Sequence, residues 1–296
     1  MQAGYYPELR RARGYRLYTR SGGRLLDLYQ DDGRAFLGHD PKGVSRAMKA
    51  EMDRGLHAAC PSPHLRRLQR ELTVLWQGLS GRADSGGAPA PASSGRHWLV
   101  FSSREQFRQA VGEAACVLWR PGLGLLDAGP FDTGSAALAT PVGASDDAAA
   151  ADSVVELRLP LPGAYATVVA GFPKGAATEA LVHEQHCAPV QLVGLHRVVN
   201  LLRNDPRLWG GRITYDTLEA AWVGLSTPLF VRDGAYLQPQ VQEGSYAAFH
   251  LGMMKRGFFL NPSSHGLSII PGECSAGEFA GFARACKDLK EFAHVS

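Results

Sequence analysis

No stretch of this 296-residue chain approaches the roughly 20 consecutive apolar residues that a membrane-spanning helix needs. Met1 to Tyr18 carries arginines but no apolar centre, so a secretory signal is not expected either. The five cysteines, Cys60, Cys116, Cys187, Cys274 and Cys286, show no paired spacing and leave an odd one over. That excludes a disulfide framework and points to free thiols in a reducing cytoplasm. A net charge of +3 is too small to argue for nucleic acid. Arg10, Arg11, Arg13 and Arg16 do cluster, but no aromatic platform or groove-reading motif accompanies them, and a solvated face accounts for them better than a basic arm. Gly-x-Ser-x-Gly and P-loop phrases are missing. In HEQHC, His183 and His186 with Glu184 and Cys187 invite a metal, but the histidines are spaced by three rather than the four of a zinc-protease helix, so no metal site is expected.

What is present is ordinary globular material, 45% hydrophobic and 20% charged, long enough for one large domain or two smaller ones. Tyr246, Phe249 and Met253 share a helical face, Gly257 supplies a left-handed stop, and Phe258–Leu260 and Leu267–Ile270 are short apolar runs. Ser275 and Glu278 form a capping box for a last helix burying Phe279, Phe282, Cys286 and Leu289. Near the other end, Asp40 and Pro41 read as cap and first residue of a helix with Val44, Ala47, Met48 and Met52 on its apolar stripe. Ser62 and Pro63 repeat the device before Leu65, Leu68, Leu72 and Leu75. The middle alternates strand and helix: HWLVF, REQFRQAVGEAAC, VVELRL, YATVVAG and PVQLVGLHRVVNLL. Gly81–Arg96 and Ala139–Asp152 are too rich in Gly, Ala, Pro and Ser to pack, and read as surface loops or disorder.

The C-terminal order of elements, with MMKRGFFLNPSSHG at its centre, resembles the small domain of class III aminotransferases, especially their glutamate-1-semialdehyde aminomutase branch. The N-terminal segment resembles the same family through the phrase G-x-x-x-x-D, Gly22 to Asp27, and the turn G-H-x-P, Gly38 to Pro41. The resemblance implies an α/β chain of the pyridoxal-phosphate (PLP) transferase type, fold type I. Its large domain would be reduced and mostly parallel in sheet, and its α+β small domain discontinuous. Residues 1–80 and 207–296 would form the small domain, 81–96 a flexible linker, and 97–206 the large domain with a flexible loop at 139–152.

The family's PLP chemistry needs a Schiff-base lysine, an acid against the pyridine nitrogen and donors around the phosphate. The phosphate cup, a Ser-Gly-Ser/Thr phrase in the family, aligns with Ser102, Ser103 and Arg104, so its glycine is gone. Such a site uses the free N–H groups of a helix N-terminus, but an ordinary capping box of Ser103 with Gln106 accounts for the same letters. GFPKGAATEAL resembles the phrase that follows the family's lysine, whose position falls on Ala166; Lys174 lies inside the phrase. The threonine that reaches a neighbouring subunit's phosphate is replaced by Glu184, a repulsive substitution. Asp127 and Asp132 remain as remnants of the acid.

The expectation is an aminotransferase-like homodimer that has lost PLP-dependent catalysis, binds no cofactor, and serves as a binding or regulatory pseudoenzyme with a small anion or metabolite in a vestigial cleft. The alternatives are an active PLP-dependent aminotransferase or aminomutase, with Lys174 as the aldimine lysine, Ser102 and Arg104 on the phosphate and Asp127 or Asp132 on the ring nitrogen, or a partner of an active homologous aminotransferase.

Overall fold

The computed structural model describes residues 6–80, 95–112, 114, 116–121, 124–127, 153–161, 167–174, 187–204, 228–233 and 235–293. Both low-complexity segments, apart from Gly95 and Arg96, lie outside them. The described residues up to Asp40 and from 228 onward form one compact unit, and those from Pro41 to Asn204 form another. Helices α1 and α2, placed by sequence with the C-terminal segment, thus belong to the second unit.

The first unit carries two sheets. Strands β1 (Leu9–Arg13), β2 (Arg16–Thr19) and β3 (Arg24–Asp27) form an antiparallel meander, to which β11 (Phe258–Phe259) adds in parallel beside β3. Strands β9 (Phe230–Asp233), β10 (Tyr236–Pro239) and β12 (Ser268–Ile269) form an antiparallel triplet. Helix α5 (Glu243–Lys255) buries Tyr246, Phe249 and Met253, and Gly257 at φ 94° turns the chain into β11. Helix α6 (Ala276–Asp288) opens on the expected capping box: Ser275 Oγ accepts from Glu278 N at 3.2 Å, and Glu278 Oε2 accepts from Ser275 N at 2.9 Å.

Glu278 also ties the chain's two ends together. Arg16 of β2 donates to its two oxygens at 2.8 and 2.7 Å, a bidentate pair that holds the Glu278 carboxyl down at about 2 against an ordinary 4.5. A carboxyl whose pKa is depressed in the folded chain contributes stability that is fully present above its unfolded value and is lost as pH falls toward 2. Glu278→Gln removes the charge on the acceptor while keeping the shape. It is expected to cost about 2 kcal/mol at neutral pH, at the scale of charge-assisted bonds, and to flatten the acid limb of a Tm-against-pH curve below pH 4.5. An unchanged acid limb would show that the pair is energetically idle.

The second unit is a three-layer α/β arrangement. Helices α1 (Val44–Asp53), α2 (Pro63–Ser80) and α4 (Pro189–Arg203) pack together, with Leu68, Leu72, Leu75, Leu192, Leu195, Val199 and Leu202 fully buried. The N-cap of α1 is Gly43 rather than the expected Asp40. Helix α1 starts three residues later, behind Gly43 at φ 79°, because that left-handed residue interrupts the turn that Pro41 would have begun. The sheet runs β4 (His97–Phe101), β8 (Val168–Phe172), β7 (Val154–Leu157), β5 (Cys116–Arg120) and β6 (Gly124–Asp127).

This sheet is mixed, which corrects the mostly parallel expectation: among the described strands only β5 and β7 pair in parallel, while β4–β8, β7–β8 and β5–β6 are antiparallel. The short link between β5 and β6 forces a hairpin, since a parallel return needs a crossover of a dozen residues or more. On β4 the alternation of a strand sends Leu99 and Phe101 toward Phe107 of α3 (Arg104–Val111), and Trp98 to the other face against Trp76 of α2. No helix among the described residues is long and apolar enough to cross a membrane.

Candidate functional site

In open α/β sheets ligands settle at the carboxyl ends of the strands. Here that edge is the β4–α3 turn, where the three candidate phosphate residues sit. Ser103 caps α3, its Oγ accepting from Gln106 N at 3.2 Å. The Gln106 side chain folds back, and its Oε1 accepts from Ser102 N at 3.2 Å and from Ser102 Oγ at 2.7 Å. The reciprocal bond of a capping box has therefore moved one residue upstream, and Ser102's two donors are taken up inside the turn.

Arg104 is committed as well. Its guanidinium pairs with the carboxylate of Glu156 on β7 and lies 5.7 Å from the centre of the Phe107 ring. Glu156 is buried, pairs with Ala170 of β8, and stands on the α3-facing side of the sheet. An arginine paired in this way is neutralised, and its carboxylate partner repels any second anion. Burial, with the Glu156 carboxylate beside it, pushes the Cys116 thiol up to about 12, so that this cysteine is no nucleophile.

Lys174 is not brought to this turn. Strand β8 runs antiparallel to β4, with Val168 opposite Phe101 and Phe172 opposite His97. Lys174 follows Phe172, so it lies at the amino end of β4, and its stem crosses Gly95: a Cβ built there would be 2.3 Å from Lys174 Cε. From His97 to Phe101 the strand rises about 13 Å. Lys174 and Ser102–Arg104 are thus separated by the length of a strand.

Asp127 ends β6 opposite Val117, with only its backbone described. Asp132, Ala166, His183, Glu184 and His186 lie outside the described residues. Cys187, the described end of HEQHC, is buried and donates to Val100 O at 3.3 Å. Glu156 is the site residue that sequence reasoning passes over, and its signal was available: a carboxylate in the otherwise apolar run VVELRL.

No protein-family profile matches the chain. An uncharacterised protein of Borreliella burgdorferi is 46% identical over 56 residues, 19% of this chain and 21% of that protein. One from Treponema pallidum is 28% identical over 123 residues, 39% of this chain and 36% of that one. These matches thus span well under half of either relative.

Among solved structures, ornithine δ-aminotransferase of Plasmodium falciparum superposes with a TM-score of 0.66 at 12% identity, over 97% of this chain and 95% of that one. Glutamate-1-semialdehyde aminomutase of Pseudomonas aeruginosa gives 0.61 at 14%, over 97% and 88%. Acetylornithine aminotransferase of Elizabethkingia anophelis gives 0.59 at 9%, over 98% and 95%. The fold is therefore that of the PLP transferases of fold type I, and its structural neighbours are class III aminotransferases.

Proposed function

We propose that this chain is an aminotransferase-fold protein that has lost PLP-dependent catalysis and works by binding, as a regulatory or ligand-holding pseudoenzyme. The observation that carries this reading is the antiparallel course of β8, which sets Lys174 at the opposite edge of the sheet from Ser102, Ser103 and Arg104. Two further features support it. Arg104 is neutralised by Glu156, and Ser102's donors are bonded to Gln106, so the residues at the cup do not fit a phosphate dianion. In sequence, Ala166 and Glu184 stand where the family's lysine and threonine are expected. In this reading the protein is cytoplasmic and needs no cofactor.

Incubation with PLP, borohydride reduction and intact-mass measurement test the proposal. No stoichiometric adduct is expected. An adduct that forms in the parent protein and vanishes in Lys174→Ala would overturn it and make the chain an active aminotransferase or aminomutase.

We further propose a homodimer, because fold-type I chains complete their cleft at a two-fold interface. Light scattering that returned a monomer at micromolar concentration would refute this assembly.

A further inference from the structure

The amino end of β4 carries a feature that the aminotransferase reading does not absorb. Between that strand and α2 lies a cleft of about 380 Å³, lined by Arg66, Gln69, Arg70, Thr73, Arg96, His97 and Trp98. That volume is at the lower end of small-molecule sites. None of the described lining residues is acidic. Arg66 and Arg70 are exposed, lie one helical turn apart, and have no carboxylate partner among the described residues. The nearby acid on the same helix, Glu71, is already paired with Arg203.

The floor of the cleft is built rather than incidental. Arg96 is buried, donates to Ser153 O at 2.8 Å and to Gly171 O at 3.0 Å, and lies 5.1 Å from the centre of the Trp76 ring. Its charge is thereby fixed in place beside the two exposed ones, of which Arg70 donates through Nε to Arg66 O at 3.4 Å. Gln69 donates to Trp98 O at 2.8 Å and ties α2 to the strand. Lys174, exposed and lying across Gly95, adds a further cation beside this end of the strand.

We infer that this cleft is an anion site for a small molecule bearing more than one phosphate group. Guanidinium groups bind phosphate through two parallel N–H bonds. Arginines spaced by four along a helix set their Cβ atoms about 6 Å apart, which suits two linked anionic groups rather than one. The inference is independent of whether the β4–α3 turn has lost its cofactor, because the two places occupy opposite edges of the sheet.

The test uses the full-length protein in phosphate-free buffer at low ionic strength, with pyrophosphate as probe and calorimetric titration as readout. Binding is expected, with affinity falling as sodium chloride is added. The double variant Arg66→Gln and Arg70→Gln changes exposed positions only and is expected to bind at least tenfold more weakly at an unchanged Tm. Arg104→Gln is expected to bind as the parent does. Equal affinity in the double variant would overturn the site. So would a loss confined to Arg104→Gln, which would move the anion to the β4–α3 turn. Citrate binding more tightly than pyrophosphate, with the same variant sensitivity, would overturn the phosphate assignment in favour of carboxylates.

Discussion

Asp27→Ala is expected to destabilise the first unit by about 3 kcal/mol, the upper scale of the cost of leaving buried hydrogen-bond donors unsatisfied. At this chain length that is on the order of 6 °C in Tm. Asp27 is 1% exposed, and both of its carboxylate oxygens have hydrogen-bond partners. Its Oδ1 accepts from Tyr29 N and Gln30 N, each at 2.9 Å, and its Oδ2 lies 2.6 Å from His39 Nε2. The chain that follows is held in a costly shape: Gln30, Asp31 and Asp32 all have positive φ, 50°, 49° and 54°, without a glycine among them. Asp27 satisfies the donors at the entrance to that turn, so alanine there leaves Gln30 N and His39 without a partner at once.

Asp27→Asn keeps an acceptor for Tyr29 and Gln30 and a donor for the ring of His39, and is expected to cost about 1 kcal/mol. Chemical denaturation of both variants checks the pair of values. An alanine variant as stable as the asparagine one would mean that these bonds contribute nothing. Asp27 and His39 are the defining letters of the two N-terminal phrases, G-x-x-x-x-D and G-H-x-P, and the structure gives both phrases one structural purpose.

That pairing shows where sequence reading reaches and where it stops. Signals confined to one turn or one helix face carry through: the Ser275–Glu278 box, the stop at Gly257, and the stripes of α2, α4, α5 and α6 are all where their spacing puts them. Asp40 and Pro41 misled because a capping signal is only local, and the left-handed Gly43 just beyond it resets the start of α1. The direction of β8 is not written in YATVVAG or in GFPKG, since a strand's apolar run is the same in either direction. It depends on which neighbours the strand finds, and it decides the fate of Lys174. Arg104 and Glu156 are 52 residues apart and meet only across the sheet. The arginine cleft has the same origin, since α2 and β4 bring together side chains that no motif connects.

Gly171→Val in β8 is the substitution on which local preference and tertiary packing disagree most. A β-branched residue in place of glycine inside a strand should help, by up to about 1 kcal/mol. Packing predicts the reverse. A Cβ at Gly171 would lie 2.7 and 2.9 Å from the Trp98 ring and 3.0 Å from Arg96 Cδ. Trp98 is 3% exposed, and its ring packs edge-on against Trp76 at 5.9 Å, so its neighbour limits any retreat. Arg96 is held by Ser153 O and by the carbonyl of Gly171 itself. Overpacking a filled interior costs about 1–3 kcal/mol, and valine, the bulkier intruder, is placed at about 3 kcal/mol net destabilisation and alanine at about 1–2 kcal/mol. Because Trp98 is the obstacle, Trp98→Leu should cost less in the Gly171→Ala background than in the parent, a coupling that a double-mutant cycle reads directly. Additive costs, or a valine variant more stable than the parent, would show that the close approach of Gly171 to Trp98 is not what keeps a glycine in this strand.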